Sequence, residues 1–199
     1  MKAKLGERRR CLHISIPSSN PGLSRYLGIL AILEAAARKT ESIRSVSFEL
    51  VLLVALYTKR TTNGRHPLVN PSHIIGGAIR PDENLTIDDG KYESLAAYHL
   101  LPGDVVLGRR GEIGRCAVVK TDGLICGTGS MIIRPGQKVR SDYLQRVVSF
   151  PSFSHALEAN AVGATTKNLN AKIVGSAEAF LPDLKDQDAF ITLVSQIDK

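Results

Sequence analysis

The 199-residue sequence has few cysteines, no long apolar run and no local signature of a catalytic or metal site. Its three cysteines, Cys11, Cys116 and Cys126, are an odd number at spacings that fit no zinc-ligand pair, which points to reduced thiols in a cytoplasmic setting. The longest apolar stretch, Leu50 to Leu56, is far short of the roughly 18 to 20 residues a bilayer needs, so no membrane span is expected. The start, MKAKLGERRRCLHISIPSS, is basic but has no long apolar core behind it, and a cleaved secretory signal is not expected. Nor does the composition suggest disorder. The hydrophobic fraction is 43% and the charged fraction 23%, both ordinary for a globular protein. A chain of this length can bury a sizeable core as one domain, with at most an appendage.

The formal charge of +7 invites a nucleic-acid reading, but its distribution weakens the inference. Residues 1–65 hold 12 basic and 4 acidic side chains, whereas residues 66–199 hold 14 and 15. The basicity therefore belongs to the N-terminal third. Within the remainder the signs separate: residues 82–104 carry one basic and six acidic side chains, and residues 109–146 carry eight and three. A local excess of this kind is either a solvated face or an anion-binding one.

Residues 1–65 are the least legible. Leu23 to Arg38 has helical apolar spacing, Glu49 to Tyr57 is a buried strand or a short core helix, and Arg8-Arg9-Arg10 reads as a solvated terminus or a phosphate contact. From His66 the punctuation is regular. A short extended piece, His66 to Val69, leads to an Asn70-Pro71-Ser72 turn, then to Ile74-Ile75 before Gly76-Gly77. Tyr92 to Leu100 reads as one short helix. Val105 to Leu107 and Cys116 to Val119 read as two strands joined by a return bearing Arg109, Arg110, Gly111, Gly114 and Arg115. Asp122-Gly123 marks a turn into Leu124 to Cys126, and Gly127 to Ser130 breaks that strand before Met131 to Ile133 resumes it. After Pro135-Gly136 the period becomes helical. A helix capped at Ser141-Asp142 buries Tyr143, Leu144, Val147 and Val148; a second starts at Pro151 and stops at Gly163. Asn170 caps a short helix over 171–174, Ala179 to Pro182 is a brief strand, and Asp183 to Ile197 is a last helix.

The chemistry concentrates in the tip over 109–115. Glycines let it bend and approach a partner closely. Its guanidinium groups suit phosphate, a carboxylate or the edge of a guanine, and a plain solvated hairpin tip is the alternative. A cysteine hydrolase would need a thiol activated by a base, with Cys126 beside His73, His99 or His155. An inert buried Cys126 is the expectation instead.

The ordered set LVNPSHIIGG, YHLLPGDVVLGRRGEIGRCAVV, GLICGTGSMIIRPG, SDYLQRVVSFPSFSHALEANAVGATTKNLNAKIV and LPDLKDQ resembles the target recognition domain of type I restriction-modification specificity (S) subunits. The likeness covers about His66 to Gln187 and implies an α+β fold. It places an atypical segment at 1–65, a single recognition domain at 66–182 with a compact β-rich half and a helix pair, and the start of a truncated docking or dimerisation helix at 183–199. Lys4-Leu5-Gly6-Glu7 matches the family's opening signal, whereas 8–60 follow no family pattern. Where the family has Leu-Pro-Pro-Leu, this sequence has Leu181-Pro182-Asp183-Leu184.

The resemblance further implies a chain without catalytic residues, metal or cofactor of its own, acting in phage defence. It would read one half of a split target on double-stranded DNA and direct methylation (M) and motor-nuclease (R) subunits, the M subunits using S-adenosylmethionine. Residues it offers for DNA are Arg109, Arg110 and Arg115 at the tip, Asn70, Ser72 and His73 in the early loop, and Thr165, Thr166, Lys167, Asn168 and Asn170 in the polar loop. The last set serves equally as a partner contact or a structural cap. Leu184, Gln187, Phe190, Ile191 and Val194 are offered for docking to partner subunits or a second copy. A stand-alone DNA-binding or interaction module and an inactive truncated remnant are the other readings of a chain with one such domain.

Overall fold

The structure is a computed structural model that describes residues 64–163, 167–177 and 179–197. The expectations for Arg8 to Arg10, Cys11, Leu23 to Arg38 and Glu49 to Tyr57, and for Thr165 and Thr166, lie outside the described residues.

The centre is an antiparallel sheet of three strands that all lack an exposed face. Strand β5 (Val105–Gly108) runs between β6 (Cys116–Val118) and β8 (Ser130–Ile133). Val105 lies opposite both Val118 and Ile133, and Leu107 opposite both Cys116 and Met131. Apart from Ser130 these runs carry no polar side chain and do not alternate, as expected of strands packed on both faces. One face, through Val105, Leu107, Cys116, Met131 and Ile133, meets Leu144, Val148, Leu157, Leu169 and Val174. The other, through Val106, Ala117 and Ile132, meets Val69, Ile74, Leu100, Leu124 and Cys126. The side-chain period of two divides one strand between two cores.

That second core is roofed by a small sheet of β1 (His66–Val69), β4 (Thr86–Ile87) and β7 (Ile125–Cys126), and by the hairpin of β2 (Ile74–Ile75) and β3 (Ala78–Ile79). Here the structure departs from the sequence reading. The Asp122-Gly123 turn forms, with Gly123 at φ 80°, but β7 pairs parallel to β1, Leu68 opposite Ile125, and not with β6. The break over 127–129 is therefore a crossing from one sheet to the other. Close approach explains the glycine there: a Cβ on Gly127 would stand 2.1 Å from Asn70 Oδ1. Only glycine admits the Asn70-Pro71 turn against this crossing.

Helix α1 (Asp89–Ser94) starts three residues before Tyr92 because Asp88 accepts from the Lys91 amide at 2.8 Å. It ends in a separate 3-10 turn, Ala96–Tyr98, in place of one helix to Leu100. The rings of His66, Tyr92 and His99 stack at 3.7 and 3.6 Å beneath it. Helix α2 (Ser141–Ser149) buries Tyr143, Leu144 and Val148 as its spacing predicts, but also Gln145, and leaves the expected Val147 half-buried. Its cap, however, is Arg140, and the Ser141 hydroxyl donates to Gly103 O at 2.6 Å, tying the helix to the entry of β5. Helix α3 (Pro151–Asn160) begins on its proline and closes at Ala161, before Gly163. Helix α4 (Ala171–Gly175) is capped by Asn170, whose Oδ1 accepts from the Ile173 amide at 3.0 Å. The stretch around Phe180 forms no strand with the described residues; its carbonyl instead accepts from the Tyr143 hydroxyl at 2.9 Å. Helix α5 (Leu184–Ile197) then packs on α2. Among the described residues no helix is long and apolar enough to cross a membrane.

Candidate nucleic-acid interface

Four segments remote in sequence converge where β5 ends. The chain leaves the sheet at Gly108, where a Cβ would stand 2.6 Å from the Glu112 carbonyl oxygen and 3.2 Å from Pro71 Cβ. The next residue turns inward. Arg109 is 4% exposed. Its amide donates to Gly129 O at 2.9 Å, its carbonyl accepts from the Leu169 amide at 2.9 Å, and its Nε donates to Asn168 Oδ1 at 3.0 Å. Burial, reinforced by the neighbouring Arg110 charge, lowers the proton affinity of this guanidinium. The expectation of a tip presenting three arginines is thus corrected: pairing with the polar loop turns Arg109 into the fold, together with the fully buried Leu169.

Arg110 faces the other way. It is exposed, pairs by its backbone with Asn168, and has no carboxylate partner among the described residues. Arg115 is about half exposed, with Nη2 2.5 Å from Glu112 Oε1 and Nη1 donating to Ile74 O at 3.4 Å. The bend between them uses Gly111 and Gly114 at φ 71° and 90°. Gly114 also sits against α3, where a Cβ would come within 2.7 Å of Ser154 Cβ.

The polar loop closes the site. Asn168 exchanges both backbone hydrogen bonds with Val162, at 2.9 and 3.1 Å, and so braces the loop between the end of α3 and the end of β5. Lys167 is exposed, with Nζ 3.6 Å from Glu158 Oε1. Asn170 spends its side-chain oxygen as the helix cap. In the early loop Ser72 is exposed, while Asn70 and His73 are half-buried. His73 Nδ1 lies 2.8 Å from Leu68 O and 3.2 Å from the Asn70 amide nitrogen. Both side chains shape the turn.

The basic excess of 109–146 is mostly consumed internally. Lys120 pairs with Asp142 at 2.9 Å, Arg140 holds Asp188 at 2.8 and 2.9 Å, and Arg134 grips the buried Asp104 with two 2.8 Å bonds. Asp104 also accepts from the Leu101 amide at 2.9 Å. The sequence did not single it out, yet it anchors the start of β5. A cleft of about 540 Å³ between the β2–β3 hairpin and α2 collects Arg115, Gln145, Arg146 and Ser149; Arg146 there is a residue that sequence reasoning missed.

Two other expectations meet the structure here. Cys126 and Cys116 are both buried, and burial pushes each thiol up to about 12. Both are closed off from solvent and held towards the neutral thiol, the environment of the inert buried Cys126 that the sequence suggests. The stripe on α5 is spent inside the chain. Gln187 is fully buried, donating to Lys138 O and Pro182 O at 2.9 Å each and accepting from the Arg140 amide at 2.8 Å. Phe190 meets Tyr143 edge-on at 5.4 Å, and Val194 joins the same cluster. Of the residues expected to dock a partner, Gln187 is thus bonded within the chain, and Phe190 and Val194 pack against Tyr143 of α2. Leu184 and Ile191 remain half-exposed.

No family model matches the sequence, and no curated relative does. Solved structures do match its fold. A chain from a study of complex assembly and conformational transition of the type I R-M system aligns with a TM-score of 0.56 at 15% identity, over 89% of this chain and 45% of that one. The HsdS subunit from Thermoanaerobacter tengcongensis gives 0.54 at 15%, over 89% and 44%. The S subunit of a type I restriction-modification system from M. genitalium gives 0.51 at 14%, over 80% and 40%. The fold is that of these specificity subunits, and the chain spans less than half the length of each.

Proposed function

We propose that this chain is the DNA-recognition subunit, or a half-subunit, of a type I restriction-modification system. On this reading it has no catalysis or cofactor of its own and works in the cytoplasm. It reads one half of a split target in double-stranded DNA and directs M subunits, which use S-adenosylmethionine, and an R subunit; a second copy supplies the other half. The single observation that carries the proposal is the convergence of the early loop, the arginine tip, the 127–129 crossing and the polar loop at one end of β5, in a fold shared with specificity subunits.

Within that surface the residues divide by chemistry. Arg110 is the exposed guanidinium without an internal carboxylate, suited to a phosphate or bidentately to guanine O6 and N7. Asn168 gives its oxygen to Arg109, which leaves its amide N–H groups to donate to a base edge or phosphate. Lys167 and Ser72, both exposed, are assigned to the same surface as phosphate-positioning groups. Arg115 works beside Glu112, which discounts its charge.

The test has two arms. Co-expressed with an adenine-methylating subunit, the chain is expected to co-purify with it and to confer methylation at one split sequence. Arg110→Ala is expected to weaken duplex binding and to reduce the salt slope by about one unit, the loss of a single phosphate contact. Tight, specific binding by the chain with no methylating partner would favour a stand-alone DNA-binding module instead.

A further inference from the structure

We infer that Arg109 is a positioning residue: through Asn168 its buried guanidinium holds the loop carrying Lys167 against the strand end carrying Arg110, and so sets the surface that reads DNA. The inference rests on the proposed function for its ligand and on the geometry alone for the clamp.

Arg109 and Asn168 are the two nodes of the junction. Arg109 bonds by its backbone to Gly129 on one side and Leu169 on the other, and by its side chain to Asn168 across 59 residues of sequence. Asn168 bonds by its backbone to Val162 in both directions. The register places Arg110 opposite Asn168, with Lys167 one residue further along. Between the described residues of the two loops singled out from sequence, the Arg109–Asn168 bond is the side-chain link.

An arginine is an expensive choice for this position if packing alone were at stake. It is 4% exposed and has no carboxylate partner among the described residues, and a buried charge without one carries a net desolvation cost that an apolar side chain of similar volume avoids. What an apolar chain cannot do is orient a carboxamide. The planar guanidinium fixes the Asn168 amide from one edge, and a site held in place before its ligand arrives loses less on binding. The direction of Asn168, and with it the placement of its neighbour Lys167, is what the buried cation supplies.

The test uses the full chain and a duplex enriched from a random pool on the wild-type protein. Arg109→Met is expected to melt at or above the wild-type temperature, because a buried cation is removed at nearly constant volume. Its Asn168 and Leu169 amides exchange faster with solvent. Its affinity for the enriched duplex falls roughly tenfold, the scale of one charge-assisted hydrogen bond, while the slope of log affinity against log salt is unchanged, since no phosphate contact is lost. Arg109→Lys shows the same faster exchange and roughly tenfold loss of affinity, because an ammonium lacks the planar fork, but without a rise in melting temperature, since the buried cation is kept. A salt slope reduced by about one unit in Arg109→Met would mean that Arg109 meets phosphate itself, and would overturn the inference. So would wild-type affinity with wild-type exchange, or full rescue by lysine. If the wild-type chain enriches no duplex, the DNA reading fails separately, and the exchange rates still decide whether the clamp exists.

Discussion

Gly127→Ala tests the topology at the point where the chain crosses between sheets. The added methyl would stand 2.1 Å from Asn70 Oδ1, 2.7 Å from its Cγ and 3.0 Å from Val69 O. The first distance is more than 1 Å inside an ordinary carbon–oxygen contact, so the Asn70 side chain must leave. The third presses on the carbonyl that accepts the Gly127 amide at 2.9 Å. Overpacking of this kind costs about 1 to 3 kcal/mol, and weakening the ladder bond adds about 1 kcal/mol. A loss near 3 kcal/mol corresponds to a melting temperature lower by about 6 to 12 °C for a chain of this size. The check is urea unfolding of the wild type, Gly127→Ala, Asn70→Gly and the double variant. In the double variant the side-chain clash is gone and only the Val69 contact remains, so it should recover most of the loss beyond the Asn70→Gly baseline. Strict additivity would show that residues 70 and 127 do not touch. Wild-type stability in Gly127→Ala alone would refute the crossing as described.

Three further outcomes follow from the same geometry. Asp104→Asn leaves Arg134 without its bidentate partner at the entry of β5 and is expected to lower the unfolding free energy by about 2 kcal/mol, read from the shift in urea midpoint. Gln187→Ala removes three hydrogen bonds from a fully buried side chain and should cost about 3 kcal/mol, with protease cleavage appearing first in α5. Burial raises the folded-state pKa of Cys116 and Cys126 from 9.0 to about 12. The folded state therefore binds more protons than the unfolded one between those values. The stability these thiols lend is complete below about pH 9 and is lost as pH rises towards about 12; equilibrium unfolding across that range, with and without Cys→Ser at both positions, measures it. At neutral pH neither thiol should react with an alkylating reagent until the chain unfolds.

The legible parts of the fold were those decided by local pattern. The positions of α2, α3 and α5 follow from apolar spacing and from Pro151, and the β5–β6 hairpin from two β-branched runs around glycines. Asn170 as a cap needs only its own backbone geometry. Pairing was not legible. The stretch from Leu124 to Ile133 reads as one interrupted strand, yet β7 lies parallel to β1 while β8 joins β5, because the partner of a strand is chosen by long-range burial that no local signal records.

The site divides in the same way. Which residues are polar, basic or glycine, and their order along the chain, could be read directly, and that order was enough to suggest a recognition domain. Which arginine faces out could not: Arg109 and Arg110 are adjacent and chemically identical, and the backbone pairing with 168–169 turns one in and the other out. Likewise the α5 stripe has the same pattern whether it covers a partner or its own α2, and Tyr143 and Lys138 decide for the latter. Sequence by itself determined the longer helices, the central hairpin and the inventory of chemistry, since these depend on residues near one another in the chain. Tertiary structure decided exposure and partnership, since both depend on what the rest of the chain brings within a few ångströms.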